Sequence, residues 1–182
     1  MTQTFDFESI LNNVEHNSVP PLHLWNPPLC GDIDISIDAQ GVWRHCGDRF
    51  KRTEIPRLFS RILCREEGDY YLKTPVEKWR IKVVDVPFYF IHLEQKQTDQ
   101  GQTLCLVSLN EDVIELSELN PLRVSIDSNT GEPSPYIYVR DGMEGKLSRN
   151  LYYQLIDLAI NDEQAQQLYL ESQGQRFLLG SY

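Results

Sequence analysis

No run of apolar residues in this 182-residue chain approaches the roughly 18 that a membrane-spanning helix needs. The opening segment Met1 to Phe7, charged only at Asp6, has neither the basic nor the apolar region of a signal peptide. A cytoplasmic protein without a membrane partner is expected. The four cysteines, Cys30, Cys46, Cys64 and Cys105, are widely spaced and form no CxxC pair, so no disulfide framework is spelled out and they read as reduced, mostly core thiols. His16, His23, His45 and His92 are scattered, and only His45-Cys46 sets two metal-ligand types near each other, at no zinc spacing. Neither a metal nor a cofactor is expected.

Catalytic templates are missing too. There is no GxGxxG after a strand and no GxSxG elbow, which removes the sequence case for a dinucleotide fold or an α/β-hydrolase. Gly145-Lys146-Leu147-Ser148 is not a phosphate loop, because Arg140 stands where the first glycine belongs and no Ser or Thr follows the lysine directly. A net charge of -10 argues against nucleic acid and anionic membranes as general partners. The charge is segregated, however. Arg44 to Arg65 holds seven cations against Asp48 and Glu54, a local +5 that leaves -15 on the remainder.

With 41% apolar and 24% charged residues, the chain has globular composition, and its length suits one ample core or two small domains. Phe5 to Val14 has helical spacing. Ile33, Ile35 and Ile37 alternate with Asp34, Ser36 and Asp38 as in a half-buried strand, and Gly41 turns into a second strand, Val42 to Cys46. Thr53 is placed to cap a helix whose inward face is Ile55, Leu58, Phe59, Ile62 and Leu63, with Arg57, Arg61 and Arg65 on another face. Further strands are expected at Tyr70 to Lys73, Trp79 to Val84, Phe88 to Leu93, Thr103 to Leu109, Val113 to Leu116, Leu122 to Ile126 and Tyr136 to Arg140. Glu94 to Gln102 reads as an exposed hairpin loop. Ser148 caps a helix to about Ile160, before a hairpin of Leu168 to Leu170 and Arg176 to Leu179.

The two halves look alike. Ser36-Ile37-Asp38 recurs as Ser125-Ile126-Asp127, followed by Gly41 and Gly131 and by strands ending in Arg44 and Arg140. Arg52, Ile55, Leu58 and Phe59 then match Arg149, Tyr152, Leu155 and Ile156, and Gly68 is set against Gly174.

Tyr71 to Ile81, closed by Asp85-Val86-Pro87-Phe88, is the most distinctive stretch. Thr74 and Glu77 have capping-box spacing, which predicts a helical turn between strands. The arginine stripe suits either internal ion pairs or an anionic ligand or acidic partner. Arg140, Lys146 and Arg149, at a strand end and a helix N-terminus, are open to capping or anion binding.

Trp25-Asn26-Pro27-Pro28, Gly31-Asp32-Ile33-Asp34, Arg57-Leu58-Phe59-Ser60, Thr74 to Lys78, Asp85 to Phe88, Pro135 to Gly142 and Leu147-Ser148-Arg149 together resemble the bacterial family catalogued as domain of unknown function 1285. The resemblance implies two small domains from a duplicated motif, the second superficially like a pleckstrin-homology barrel with its closing helix. It also implies a groove at their junction for a nucleotide-like molecule, and a signalling role.

The expectation is thus an α+β protein of mostly antiparallel sheet: residues 1–19 an N-terminal extension, 20–86 a first domain and 87–182 a second. The leading functional expectation is a non-enzymatic regulatory or signalling module binding an anionic, nucleotide-like small molecule at the domain junction, through Arg52, Thr74, Glu77, Lys78, Asp85, Arg140 and Arg149. In each case an ordinary structural role, Thr74 to Glu77 as a cap and Asp85 as an ion-pair partner, stands beside it. The alternatives are an enzyme acting on a phosphate ester or nucleotide, with Glu77 or Asp85 as general base, and an interaction module using Arg57, Arg61 and Arg65. Nothing in the residues specifies the oligomeric state.

Overall fold

The computed structural model of the chain describes residues 19–99 and 101–181. The predicted Phe5 to Val14 helix and His16 lie outside them. The chain forms two compact units, Met1–Pro87 and Phe88–Tyr182.

In the first unit a short 3-10 turn, Leu22–Leu24, leads to β1 (Leu29–Ile37), β2 (Trp43–His45), β3 (Asp48–Arg49), α1 (Glu54–Ile62), β4 (Leu63–Glu66), β5 (Asp69–Lys73) and β6 (Lys78–Val83). They build a six-stranded sheet in the order β3-β2-β1-β6-β5-β4. Two antiparallel meanders, β1 to β3 and β4 to β6, meet where β1 pairs in parallel with β6. The alternation read from the sequence puts Ile35 and Ile37 in the core, with no exposed surface, alongside buried Trp43, Leu63, Leu72, Trp79 and Ile81. The helix turns Leu58, Phe59 and Ile62 inward, and Phe59 meets Trp43 with ring centroids 5.9 Å apart.

Two sequence expectations fail at this helix. Thr53 stands at the N-cap but is already in the helical region, and its side chain makes no capping bond. The chain leaves the helix at Leu63 (ψ 131°), which is taken into the β4 ladder opposite Leu72. Arg65 therefore sits on β4, its guanidinium 5.5 Å from the Tyr70 ring centre, and the stripe with Arg57 and Arg61 does not continue on one helix face.

The second unit begins with β7 (Phe88–Thr98), β8 (Gly101–Ser108) and β9 (Val113–Glu115), followed by β10 (Leu122–Ile126), β11 (Pro133–Arg140), β12 (Met143–Leu147), α2 (Arg149–Leu158), β13 (Ile160–Asp162), β14 (Gln167–Ser172) and β15 (Gln175–Ser181). One sheet runs β10-β11-β12-β7-β8-β9 and a three-stranded one runs β13-β14-β15. The expected Glu94 to Gln102 loop is mostly ladder: pairing continues from Glu94 with Cys105 to Thr98 with Gly101, so these polar residues are an exposed hairpin arm. Gly145-Lys146-Leu147 is strand, with Gly145 opposite Phe88. A Cβ on Gly145 would lie 2.3 Å from Phe90 Cε2 and 2.9 Å from Phe88 Cβ, so glycine is what lets the two aromatic residues cover β12.

The duplication is visible in element order. Meander, helix, meander describes β1 to β6 and again β10 to β15, with β7 to β9 added in front. β15 lies against β10, as β6 pairs with β1. The opening turns use the same devices, an aspartate that accepts from two backbone amides and a glycine, in loops of different length. Asp38 Oδ1 accepts bonds from Gln40 N and Val42 N, both 3.0 Å, and Asp127 Oδ1 accepts from Asn129 N and Thr130 N, at 2.8 and 2.9 Å. Gly41 and Gly131 both have φ 72°, a conformation that glycine adopts without strain. One proposed equivalence shifts. Gly68 joins β4 to β5, so its counterpart is the β13–β14 turn, whereas the Gln173-Gly174 turn corresponds to Thr74–Glu77.

Two measurements follow. Gly145→Ala should lower stability by about 1–3 kcal/mol through overpacking, seen as a drop in the melting temperature. Ser148 Oγ accepts from Leu151 N at 3.2 Å, so Ser148→Ala should cost about 1 kcal/mol, whereas Thr53→Ala should leave denaturant midpoints nearly unchanged.

Candidate functional site: a lysine and glutamate cluster on the first sheet

The conspicuous Thr74-Pro75-Val76-Glu77 segment is the hairpin loop between β5 and β6, with no helical turn. Thr74 Oγ1 accepts from Val76 N at 3.4 Å and Glu77 N at 3.0 Å, while Thr74 N donates to the Glu77 carbonyl at 2.8 Å. Half of a capping box is thus present. The Glu77 carboxylate does not return to Thr74; it accepts from Trp79 Nε1 at 3.2 Å.

This loop sets Lys73 directly opposite Lys78. Paired residues on neighbouring strands share a face, and alternate residues along each strand share it too. The registers Cys64 with Tyr71, Tyr71 with Arg80 and Glu66 with Asp69 therefore put all seven side chains on the face opposite the apolar one. Like charges directly opposite repel. Glu66 relieves this by placing one carboxylate oxygen on each lysine: Lys73 Nζ donates to Oε1 and Lys78 Nζ to Oε2, both at 2.8 Å.

The side chains of Lys73, Lys78 and Glu66 are 10%, 18% and 35% exposed, so the lysines are largely withdrawn from water and the carboxylate is the most open member. Lys78 Nζ also lies 5.0 Å from the Tyr71 ring centre, with the Arg80 guanidinium at 5.8 Å. Arg80 in turn is shared by Asp69 (3.5 Å) and Asp32 (3.7 Å). The hydrogen bond from Lys73, then that from Lys78, holds the Glu66 carboxyl below its ordinary value, against the opposing pull of burial. The Glu66 bond in turn pushes Lys78 up.

Of the residues singled out from sequence, only Lys78 is a member of this cluster; Thr74 and Glu77 shape the loop beside it. Arg52 is exposed ahead of α1, and Asp85 is half-buried in the segment after β6. On the second unit, the Arg140 guanidinium sits 5.1 Å from the Phe88 ring centre, and Arg149 pairs with Glu132 at 3.1 Å, both side chains being more than half exposed. Lys146 lies 5.5 Å from the Tyr136 ring centre. Among the described residues no group of three His, Cys, Asp or Glu side chains is placed to hold a metal ion. No described helix is long and apolar enough to cross a membrane.

Residues 20–86 match the model for the N-terminal domain of the domain of unknown function DUF1285, and residues 87–179 match that for the C-terminal domain of the same family. The chain belongs to the DUF1285 family. It is similar to the crystal structure of a DUF1285 protein from Silicibacter pomeroyi DSS-3, at 37% identity and a TM-score of 0.84 over 98% of this chain and 97% of that one. It also resembles a DUF1285 protein from Shewanella baltica OS155, at 25% identity and a TM-score of 0.55, over 69% of this chain and 91% of that one. No curated protein matches it.

Glu66 and Lys73 were absent from the binding residues expected from sequence for this DUF1285 chain, though a signal existed. Two lysines flanking a four-residue turn between strands must face each other, and such a pair requires a carboxylate. For Glu66, whose folded-state pKa is depressed, the stabilisation is present above its ordinary value near 4.5 and is lost as pH falls through the folded value. Acid titration of the melting temperature should therefore show a steeper fall below pH 4.5 in the native chain than in Glu66→Gln.

Proposed function

We propose that the chain is a non-enzymatic regulatory module that binds an anionic, nucleotide-like small molecule, and that Lys73 and Lys78 hold its phosphate or equivalent oxyanion. One observation carries this reading: two largely buried lysines converge on a single carboxylate. Lysine is seldom buried without a partner, and the withdrawal of ions from water is offset only by close pairing. Here two ammonium groups share one carboxylate, and Arg80 is already shared between Asp69 and Asp32. A ligand oxyanion in the place of that carboxylate would meet both lysines.

The electrostatics favour binding over proton transfer. An acid-base group works best with a pKa near the operating pH. Glu66 is instead held ionised by Lys73 and then Lys78, and Lys78 is held protonated by Glu66. Glu77 is engaged by the Trp79 indole.

A thermal-shift comparison with inorganic phosphate, ATP and an uncharged nucleoside tests the reading. A ligand at 100 times its Kd stabilises the folded state by about 2.7 kcal/mol. The phosphate-bearing ligands should raise the melting temperature of the native chain, the nucleoside should not, and Lys78→Ala should abolish the rise. Arg52→Ala and Arg140→Ala run alongside. Loss in Arg140→Ala with retention in Lys78→Ala would move the site to the second unit, and no shift with any anion would sink the proposal.

A further inference from the structure

The geometry of Glu66 points to a regulatory role that rests on the anion-binding reading. We propose that the Glu66 carboxylate is a built-in stand-in for the ligand: it occupies the oxyanion position between Lys73 and Lys78, and an incoming dianion must displace it.

Three observations support this. The first is the geometry: each carboxylate oxygen takes one ammonium at 2.8 Å, the divided contact that two oxygens of a phosphate or sulfate would make with the same lysines. Burial is the second, because the carboxylate is about twice as exposed as the better exposed lysine, so the cations are reached past Glu66. The third is stoichiometry at the lysines themselves, where two ammonium groups share one carboxylate and a dianion would bring one negative charge for each.

The setting also lets Glu66 move. It is the last residue of β4, an edge strand, followed by the Glu67-Gly68 turn, both residues of which have positive φ. The charged or titratable groups around it are Cys64 on its own strand, Asp69, Tyr71 and Lys73 on β5, and Lys78 and Arg80 on β6. Asp69 is directly opposite and adds a like charge that disfavours any second anion while Glu66 is in place. Neutralising Glu66 should therefore release affinity that the native chain withholds.

The test uses sulfate, which stays a dianion across the working pH range, titrated calorimetrically at constant ionic strength into the full chain. Native protein, Glu66→Gln, Glu66→Asp and Lys78→Met are compared, with circular dichroism checking each fold. Removing one negative charge at contact distance should tighten sulfate binding at least about fivefold in Glu66→Gln. Glu66→Asp, too short to bridge both lysines from the same backbone position, should fall between the two, and Lys78→Met should bind none. Should Glu66→Gln not fold, the aspartate variant carries the comparison. Equal sulfate affinity in the native chain and the folded variants overturns the stand-in role while leaving the anion site intact. Absence of binding in native chain and folded variants alike overturns the site itself and the reading beneath it.

Discussion

The first unit depends on the parallel pairing of β1 with β6. Each meander alone would be a three-stranded ribbon, and parallel neighbours cannot be joined by a tight turn, so the intervening chain must make a crossover. The stretch from β2 to β5, including α1, supplies it. The helix thereby covers the apolar face formed by Ile35, Ile37, Leu72 and Trp79. The same register puts Asp32 opposite Arg80 and Ser36 opposite Lys82, which fixes the charge pattern of the other face. Gly31 lies in this seam opposite Trp79, and at φ 134° it adopts a conformation that side chains disfavour, although a Cβ there would meet the indole only at an ordinary 3.8 Å.

Much of this architecture was legible because local chemistry and tertiary context agree. The isoleucine alternation of β1, the Asp38 and Asp127 turns with their glycines, and the Ser148 cap each use one short-range rule, and each stands in the structure. The repeat was readable from the same features. Its alignment drifted at Gly68 because glycine marks a turn without saying which one. Element order settles the correspondence, since the last turn of the first motif is closed by Thr74 and Glu77 in place of a Gln-Gly pair.

What escaped the sequence was set by pairing. Helical periodicity grouped Arg65 with Arg57 and Arg61, but Leu63 and its neighbours gain more from a ladder against β5 than from another helical turn. The polar stretch after Leu93 looked like a loop because polarity reports exposure, not conformation; a hairpin arm can be extended and exposed together. The lysine cluster is harder still to read. Glu66 and Lys78 are twelve residues apart and meet only because β4, β5 and β6 lie side by side in a particular register.

The repeat also supplies an internal control for that cluster. In the second motif the positions flanking the matching turn are Ser172 and Gln175, opposite each other as Lys73 and Lys78 are. Ser172 is fully buried on the face of Leu170 and Phe177, its hydroxyl accepting from Leu104 N at 3.0 Å, and Asn161, opposite Leu168, holds the register position of Glu66. The same topology is therefore built with a neutral pair and an asparagine. The strand order alone therefore does not dictate two lysines and a bridging glutamate at this turn. That only the first motif carries them, at the cost of burying charge, is the physical reason to look for the function there.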